Sequence, residues 1–399
     1  MALPPNYYDF VCKQRPFLVE LVEQDVEDLL SLFDPPQVIH SVDDYNSRFH
    51  LYIERLNADL LGYGEDHPGI TAEEMSPILS NIPQDVKVSL AALYNTIDDE
   101  YHSLVNFTLS GKKTFHFSEN LSDHLANTEI NVKSTFIQLP FPTCLFTFTS
   151  RSVIDAMHSI QGNTNFLDLD YSAPVTVFLT MHPMNKDLPG QKLLLHAWHA
   201  KMPNISYLTI KRELYLGENW TLEQSLRTDW KSLTPNEVGS GINLNSDENS
   251  ISYLDDKIFY TDGLSFYRII LNALLYLSSN EAELCNEVSP YREIEARART
   301  INSRPKRKKL LKTKGYYSNL DYQEVGASVG SIVIQKGEVT SDNINSSGEG
   351  KKIVRFMVRG HWRRQPYGSE NQEHKLIWIR PYYKGTDLAT TINKPYIVK

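Results

Sequence analysis

The hydrophobic period of this 399-residue chain changes once, near Phe115, and that change limits the fold more than any other feature. Upstream, apolar residues recur at three and four. Phe17, Leu18, Leu21, Val22, Val26, Leu29, Leu30 and Phe33 form one stripe that stops at Asp34-Pro35-Pro36, where a proline excludes the helical conformation for the residue before it. A second stripe covers about 42–61, with Tyr45, Phe49, Tyr52, Ile53, Leu56 and Leu60, and a third covers about 83–104. Downstream the period is two. Phe115 with Phe117, then 135–139, 143–149, 175–180, 193–198 and 207–216 read as short strands between Pro, Gly and Asn turns. A helix with one apolar stripe has to bury it. The expected fold class is therefore α+β, with N-terminal helices packed on an antiparallel sheet and a β-hairpin at the C-terminus. Neither common phosphate-loop glycine motif occurs, and strands do not alternate strictly with helices, which argues against a doubly wound α/β fold.

Four regions are expected: a helical N-terminal region over 1–114, an α+β core over 115–301, a basic and polar flexible excursion over 302–350, and a C-terminal hairpin over 351–399. Within the core, Thr221 and Gln224 have capping-box spacing for a helix over 222–230. The nearly all-apolar 264–277 reads as the helix at the centre of the core. In the excursion, SIVIQ at 331–335 is the expected strand, pairing with the hairpin; the polar tract TSDNINSSGEG has the composition of a flexible connection.

Hydrophobic residues at 41 % and charged residues at 22 % are ordinary for a globular protein. A net charge of −9 argues against a general nucleic-acid coat. The positive charge is local: between Arg292 and Lys314 there are ten Lys or Arg against two Glu. Cys12, Cys144 and Cys285 are far apart and read as reduced, buried thiols rather than metal ligands, so neither a metal nor another cofactor is expected. The first residues lack the basic and apolar regions of a secretory leader, and the longest apolar run, 269–277, is too short to span a bilayer. A cytoplasmic protein with no membrane contact is expected.

Arg355 to Gly385 holds two of the five tryptophans, five arginines and two histidines, in two apolar/basic runs around a polar turn. The strings VRGHWRRQPYG and HKLIWIRPYYKG in this stretch resemble a motif of uncharacterised plasmid and phage proteins, of the form RGHWRxQxYG followed by WIxPYxKG. A type V anti-CRISPR protein with a similar RGHW string is a remote relative of that set. STFIQLPFPTCLFTF at 134–148 and GENWTLEQSLRTDW at 217–230 are weaker likenesses in the same order, and residues 1 to about 130 show none. For that relative, the resemblance implies inhibition of CRISPR immunity through lowered synthesis of the effector nuclease, with recognition of its nascent N-terminal peptide.

The expected function is accordingly binding by a protein of a mobile element, with a nascent peptide, or RNA and the ribosome, as partner. The expected binding residues are Arg359, Gly360, His361, Trp362, Arg363, Arg364, Tyr367, Trp378, Arg380 and Tyr382. Arginine forks and aromatic faces suit phosphates, unpaired bases and peptide carbonyls. The competing reading is an edge hairpin whose tryptophans plug the core and whose arginines are solvated. A metal-independent ribonuclease is the alternative function, with His361 as general acid/base and Arg359 or Arg363 steadying a phosphate; no second acid or base is fixed by the sequence. The run Arg304, Lys306, Arg307, Lys308 and Lys309 reads either as a solvated loop or as an RNA contact.

His196 and His199, three apart on a strand, should face opposite ways and read as structural. Asp168 with Asp170 reads as a solvated turn, and Asp98, Asp99 and Glu100 as a wet helix face.

Overall fold

The computed structural model describes residues 3–31, 100–160, 171–183, 190–201, 206–232, 264–335, 354–368, 373–384 and 390–391. The expected helix over 42–61, most of that over 83–104, Asp98, Asp99, Asp168, Asp170 and the tract 340–350 lie outside them. Helices α1 (Tyr7–Gln14) and α2 (Pro16–Ser31) open the chain, and residues 100–109 form α3. Then follow β1 (Thr114–Phe117), α4 (Glu119–Ala126), β2 (Thr143–Phe148), α5 (Arg151–Ser159), β3 (Val175–Pro183), β4 (Gly190–Lys201), β5 (Ser206–Gly217), α6 (Leu222–Ser232) and α7 (Leu264–Leu277). The last part holds β6 (Leu284–Glu287), α8 (Pro290–Thr300), α9 (Arg304–Lys314), β7 (Tyr322–Val325), β8 (Ile334–Gln335), β9 (Val354–Val358), β10 (His361–Tyr367), β11 (Glu373–Ile379), β12 (Tyr382–Lys384) and β13 (Thr390–Thr391).

The fold class is α+β. Seven strands form one sheet in the order β5-β4-β3-β2-β1-β7-β6. Strands β2 to β5 are the expected antiparallel meander, but the sheet is mixed, because β1 runs parallel to both β2 and β7. Alternating side chains divide two cores between its faces. On one face Phe115, Phe117, Phe146, Phe148, Val177 and Leu195 pack under α4, α5 and α7. On the other, Leu145, Phe178 and Trp198 meet α1, α2 and α3 through Tyr7, Tyr8, Val11, Leu18, Val22 and Phe107. Every residue of β1 and β2 is buried as a result.

The central helix is as expected: Phe266, Ile270, Ala273, Leu274 and Tyr276 are fully buried. The capping box also forms, with Gln224 N–H donating to Thr221 Oγ1 at 3.2 Å and Thr221 N–H to Gln224 Oε1 at 2.8 Å. His196 and His199 do face opposite ways. His196 bonds Ser103 and Thr209, whereas His199 bonds His158 and the Ala173 carbonyl.

Four expectations are corrected. Of the cysteines expected to be buried, only Cys144 is; Cys12 is half-buried and Cys285, on the edge strand β6, is exposed. Residues 134–136 make a 3₁₀ turn rather than a strand. Glu100 is buried, receiving the Tyr7 hydroxyl and the Arg15 guanidinium, so its polar partners rather than water neutralise its cost. The basic run 304–314 is a helix, not a loop: Pro305 suits its first turn, Leu, Lys and Arg are good helix formers, and Gly315 ends it. In the same region, expected as an excursion, β7 inserts between β1 and β6, while β8 pairs with β12 as the SIVIQ string suggested.

Candidate functional site

Strands β9 to β12 form one kinked ribbon. Strand β10 pairs with β11 from His361↔Ile379 to Tyr367↔Glu373, and β9 pairs with β12 from Val358↔Tyr382 to Phe356↔Lys384. The same register holds on both sides of the kink at Gly360 and Pro381. The Val354–Val358 run therefore meets Tyr382–Lys384, and the WIR run meets the residues after Gly360. A Cβ on Gly360 would lie 2.5 Å from Thr128 Oγ1 and 2.8 Å from Pro381 Cδ. Only glycine lets the two backbones come this close. Its N–H donates to the Asn127 carbonyl and its carbonyl accepts from Glu129 N–H, both at 2.9 Å.

Beyond the kink the two tryptophans stand directly opposite each other, stacked with ring centres 6.0 Å apart. Trp362 Nε1–H donates to Asn272 Oδ1 at 2.7 Å, and Trp378 Nε1–H to Thr128 Oγ1 at 3.1 Å. Asn272 Nδ2–H₂ donates in turn to the carbonyls of Leu125 and Thr128, and Thr128 Oγ1–H to that of His124. Trp362 is 7 % exposed and Trp378 3 %. Expected as recognition residues, both are core residues, because α7 and the end of α4 supply the acceptors their N–H groups need when buried. Gly360 is likewise buried. Asn272 and Thr128 were missed by the sequence reading. The one available signal was a lone Asn within the apolar LSFYRIILNALLYL.

What the ribbon offers to solvent is set by strand alternation. His361, Arg363, Gln365 and Tyr367 share its outer face with Lys375, Ile377 and Ile379; Arg364 and His374 share the opposite face with Trp362 and Trp378. His361, Arg363, Arg364, Tyr367, His374, Lys375 and Arg380 are exposed. Lys375 Nζ lies 5.5 Å from the Tyr367 ring centre, and the Arg380 guanidinium 5.4 Å from the Trp378 ring. Tyr382 is half-buried opposite Val358. Arg359, also half-buried, acts electrostatically on Arg268 of α7. Burial, with the Arg359 charge second, brings Arg268 down to about 10. The expected site arginines are thus distributed: Arg363 outward, Arg364 on the other face, Arg380 against an indole, Arg359 toward α7. Among the described residues no acid or second imidazole is hydrogen-bonded to His361.

A second exposed cationic element is the helix pair α8–α9. Arg297 and Arg299 pair with Glu293 and Glu295 one turn earlier, Arg292 with Asp321, and Lys314 with Glu295. Among the described residues, Arg304, Lys306, Arg307, Lys308, Lys309 and Lys312 make no ion pair. No group of three His, Cys, Asp or Glu among the described residues could hold a metal ion, and no described helix is long and apolar enough to cross a membrane.

The sequence model of the anti-CRISPR type V subtype A2 family matches residues 115–383, from the start of the sheet to β12. The chain belongs to the AcrVA2-like family. The matched span contains the ribbon, its anchor on α4 and α7, and the helix pair α8–α9, while α1 to α3 precede it. A solved structure, described as the crystal structure of AcrVA2, is 14 % identical, with 73 % of this chain and 82 % of that chain covered at a TM-score of 0.33. No curated protein matches the chain.

Proposed function

We propose that this AcrVA2-like protein is an anti-defence factor of a phage or plasmid, working in the host cytoplasm by binding a polypeptide with the outer face of its C-terminal ribbon. The observation that carries this reading is the division of the ribbon into a pinned root and an exposed tip. Gly360, Trp362 and Trp378 hold the root by backbone and indole hydrogen bonds, leaving His361, Arg363, Gln365, Tyr367 and Lys375 together on one solvent-facing surface. The anchored root fixes where the ribbon stands, so the ordering that binding requires is confined to its tip. Arg and Tyr are the side chains that dominate contacts with extended peptides, through guanidinium–carbonyl bonds and ring contact. The partner that family membership favours is the N-terminal segment of a type V effector nuclease as it is made.

The test is a binding assay between the purified protein and a synthetic peptide of that N-terminal segment, beside a scrambled peptide, together with effector protein levels in cells. Arg363→Ala with Tyr367→Ala is expected to weaken peptide binding by about 2 kcal/mol or more and to restore effector levels, with the fold unchanged by circular dichroism. Equal binding of the native and scrambled peptides, or repression that survives the double substitution, would remove the ribbon from this role.

A further inference from the structure

The residues of α9 are good helix formers, but its charge pattern is one that the stability of the helix does not favour. Of its eleven residues, RPKRKKLLKTK, seven are basic and none is acidic. Arg304 and Lys306 stand in its first turn and Arg307 close behind, where the helix dipole disfavours positive charge. Arg304 with Lys308 and Lys308 with Lys312 are like charges one turn apart, as are Lys306 with Lys309 and Lys309 with Lys312 at a spacing of three, all repulsive. No residue of α9 is buried. The half-buried ones, Leu310, Thr313 and Lys314, fall on a single face at 3.6 residues per turn. Lys314 on that face is tied to α8, its ammonium 3.1 Å from Glu295 and 4.1 Å from the Tyr291 ring centre. The rest of the circumference carries Arg304, Arg307, Lys308, Lys309 and Lys312, all exposed and without ion pairs among the described residues. In a chain of net charge −9, acids are abundant, yet those of α8 are engaged by its own arginines and Lys314. An arrangement that violates local electrostatics without internal compensation marks a functional surface.

We propose that α9 binds the phosphodiester backbone of a nucleic acid, a role separate from that of the ribbon. An acidic protein face is the other polyanion to weigh. Besides Pro305 in its first turn, the outer surface of α9 offers one exposed apolar side chain, Leu311 at 38 %, too little for the apolar centre of a protein interface. Its cations instead spread around the axis along a rise of about 16 Å, a length over which a duplex presents on the order of ten phosphates. Just past its end Tyr316 is 67 % exposed, a ring placed where an unpaired base could stack.

The experiment uses the full-length protein and three labelled probes of one sequence, about 20 nucleotides long: single-stranded RNA, duplex RNA and duplex DNA. Affinity is measured by anisotropy between about 50 and 200 mM salt, with poly-glutamate as competitor. At least one probe is expected to bind with log affinity falling by about three or more per decade of salt. Replacing Lys308, Lys309 and Lys312 by Ala should weaken binding by about tenfold or more near 0.1 M salt and flatten that slope by about 2 to 3, at roughly 0.7 to 0.9 per lost phosphate contact. Replacing the same three by Arg should preserve binding, since phosphate accepts either cation. The probe bound most tightly identifies whether RNA or DNA supplies the backbone. Arg363→Ala with Tyr367→Ala should leave nucleic-acid affinity intact, so failure of the ribbon reading and failure of this one are separable. No binding of any probe at the lowest salt, equal affinity for the wild type and the triple Ala variant, or displacement by poly-glutamate at matched charge would overturn the proposal.

Discussion

Asn272 donates to the carbonyls of Leu125 and Thr128 and accepts from the Trp362 indole, using three of its four hydrogen-bonding positions inside a mostly apolar helix. Asn272→Leu keeps the branching of the side chain, adds apolar volume, and strands the Thr128 carbonyl and the Trp362 indole N–H, while the Leu125 carbonyl keeps the Thr128 N–H at 3.2 Å. At about 1–3 kcal/mol for each unsatisfied buried group, a loss of several kcal/mol is expected in urea unfolding. Adding Trp362→Phe should return part of it by removing the orphaned donor. Burial lowers four described histidines, His116, His124, His182 and His196, and this gives a pH dependence. Burial lowers His116 to about 4 and His196 to about 3, with Lys211 adding to the second. Each resists protonation in the folded chain while ionising near 6.5 in the unfolded one. Their contribution is whole above about 6.5, shrinks as pH falls, and is spent near 4 and 3. It amounts to up to about 3 kcal/mol per fully buried imidazole. Unfolding midpoints measured at pH 7.5, 6 and 5 should fall in that order, and His116→Gln should flatten the decline. A midpoint unmoved between pH 7.5 and 5 would contradict this. At this scale the sequence was half legible: a lone Asn in an apolar helix is visible, but its partners stand about 90 to 150 positions away and nothing local names them.

The ribbon was legible as strands because its apolar and polar residues alternate, whereas its register was not. Two runs of similar length allow several pairings, and the one adopted is set by Gly360, the single position where the chain fits against Thr128. The basic run was the reverse case, its charge evident and its helix missed. Seven cations conceal the good helix propensity of Lys, Arg and Leu when only the apolar period is followed. The pinned root and exposed tip imply a gradient of local stability. Amides near Trp362 and Trp378 should exchange with solvent deuterium far more slowly than those near Tyr367, by about a hundredfold or more, as is usual between buried and frayed parts of one element. Uniform exchange along β10 and β11 would show that the indole bonds do not hold the root. Trp378→Ala, which removes one indole and its bond to Thr128, should bring the two ends together.

The molecule as a whole is a mixed sheet covered on both faces, and only part of that could be read in advance. The meander β2 to β5 joins neighbours in the chain. The insertion of β7 beside β1 joins residues about 200 positions apart, and such pairing leaves no local trace. Of the N-terminal helices α2 was visible as a stripe and α1 was not, and the sheet face they cover is that of Leu145, Phe178 and Trp198. Removing residues 1–31 should expose those side chains, seen as binding of a hydrophobic dye and as aggregation, although the family match begins only at residue 115. A truncated chain that stays monomeric and dye-silent would show that α1 and α2 are dispensable cover. The stacked indoles of Trp362 and Trp378 have an optical consequence. Two such chromophores held in a fixed chiral geometry give a coupled band in the near-ultraviolet, which a Trp378→Phe difference spectrum separates from the other three tryptophans. The protein thus carries an unlabelled gauge of whether its C-terminus is seated. A peptide that docks on the outer face leaves the band in place, and one that pries the ribbon from α7 extinguishes it.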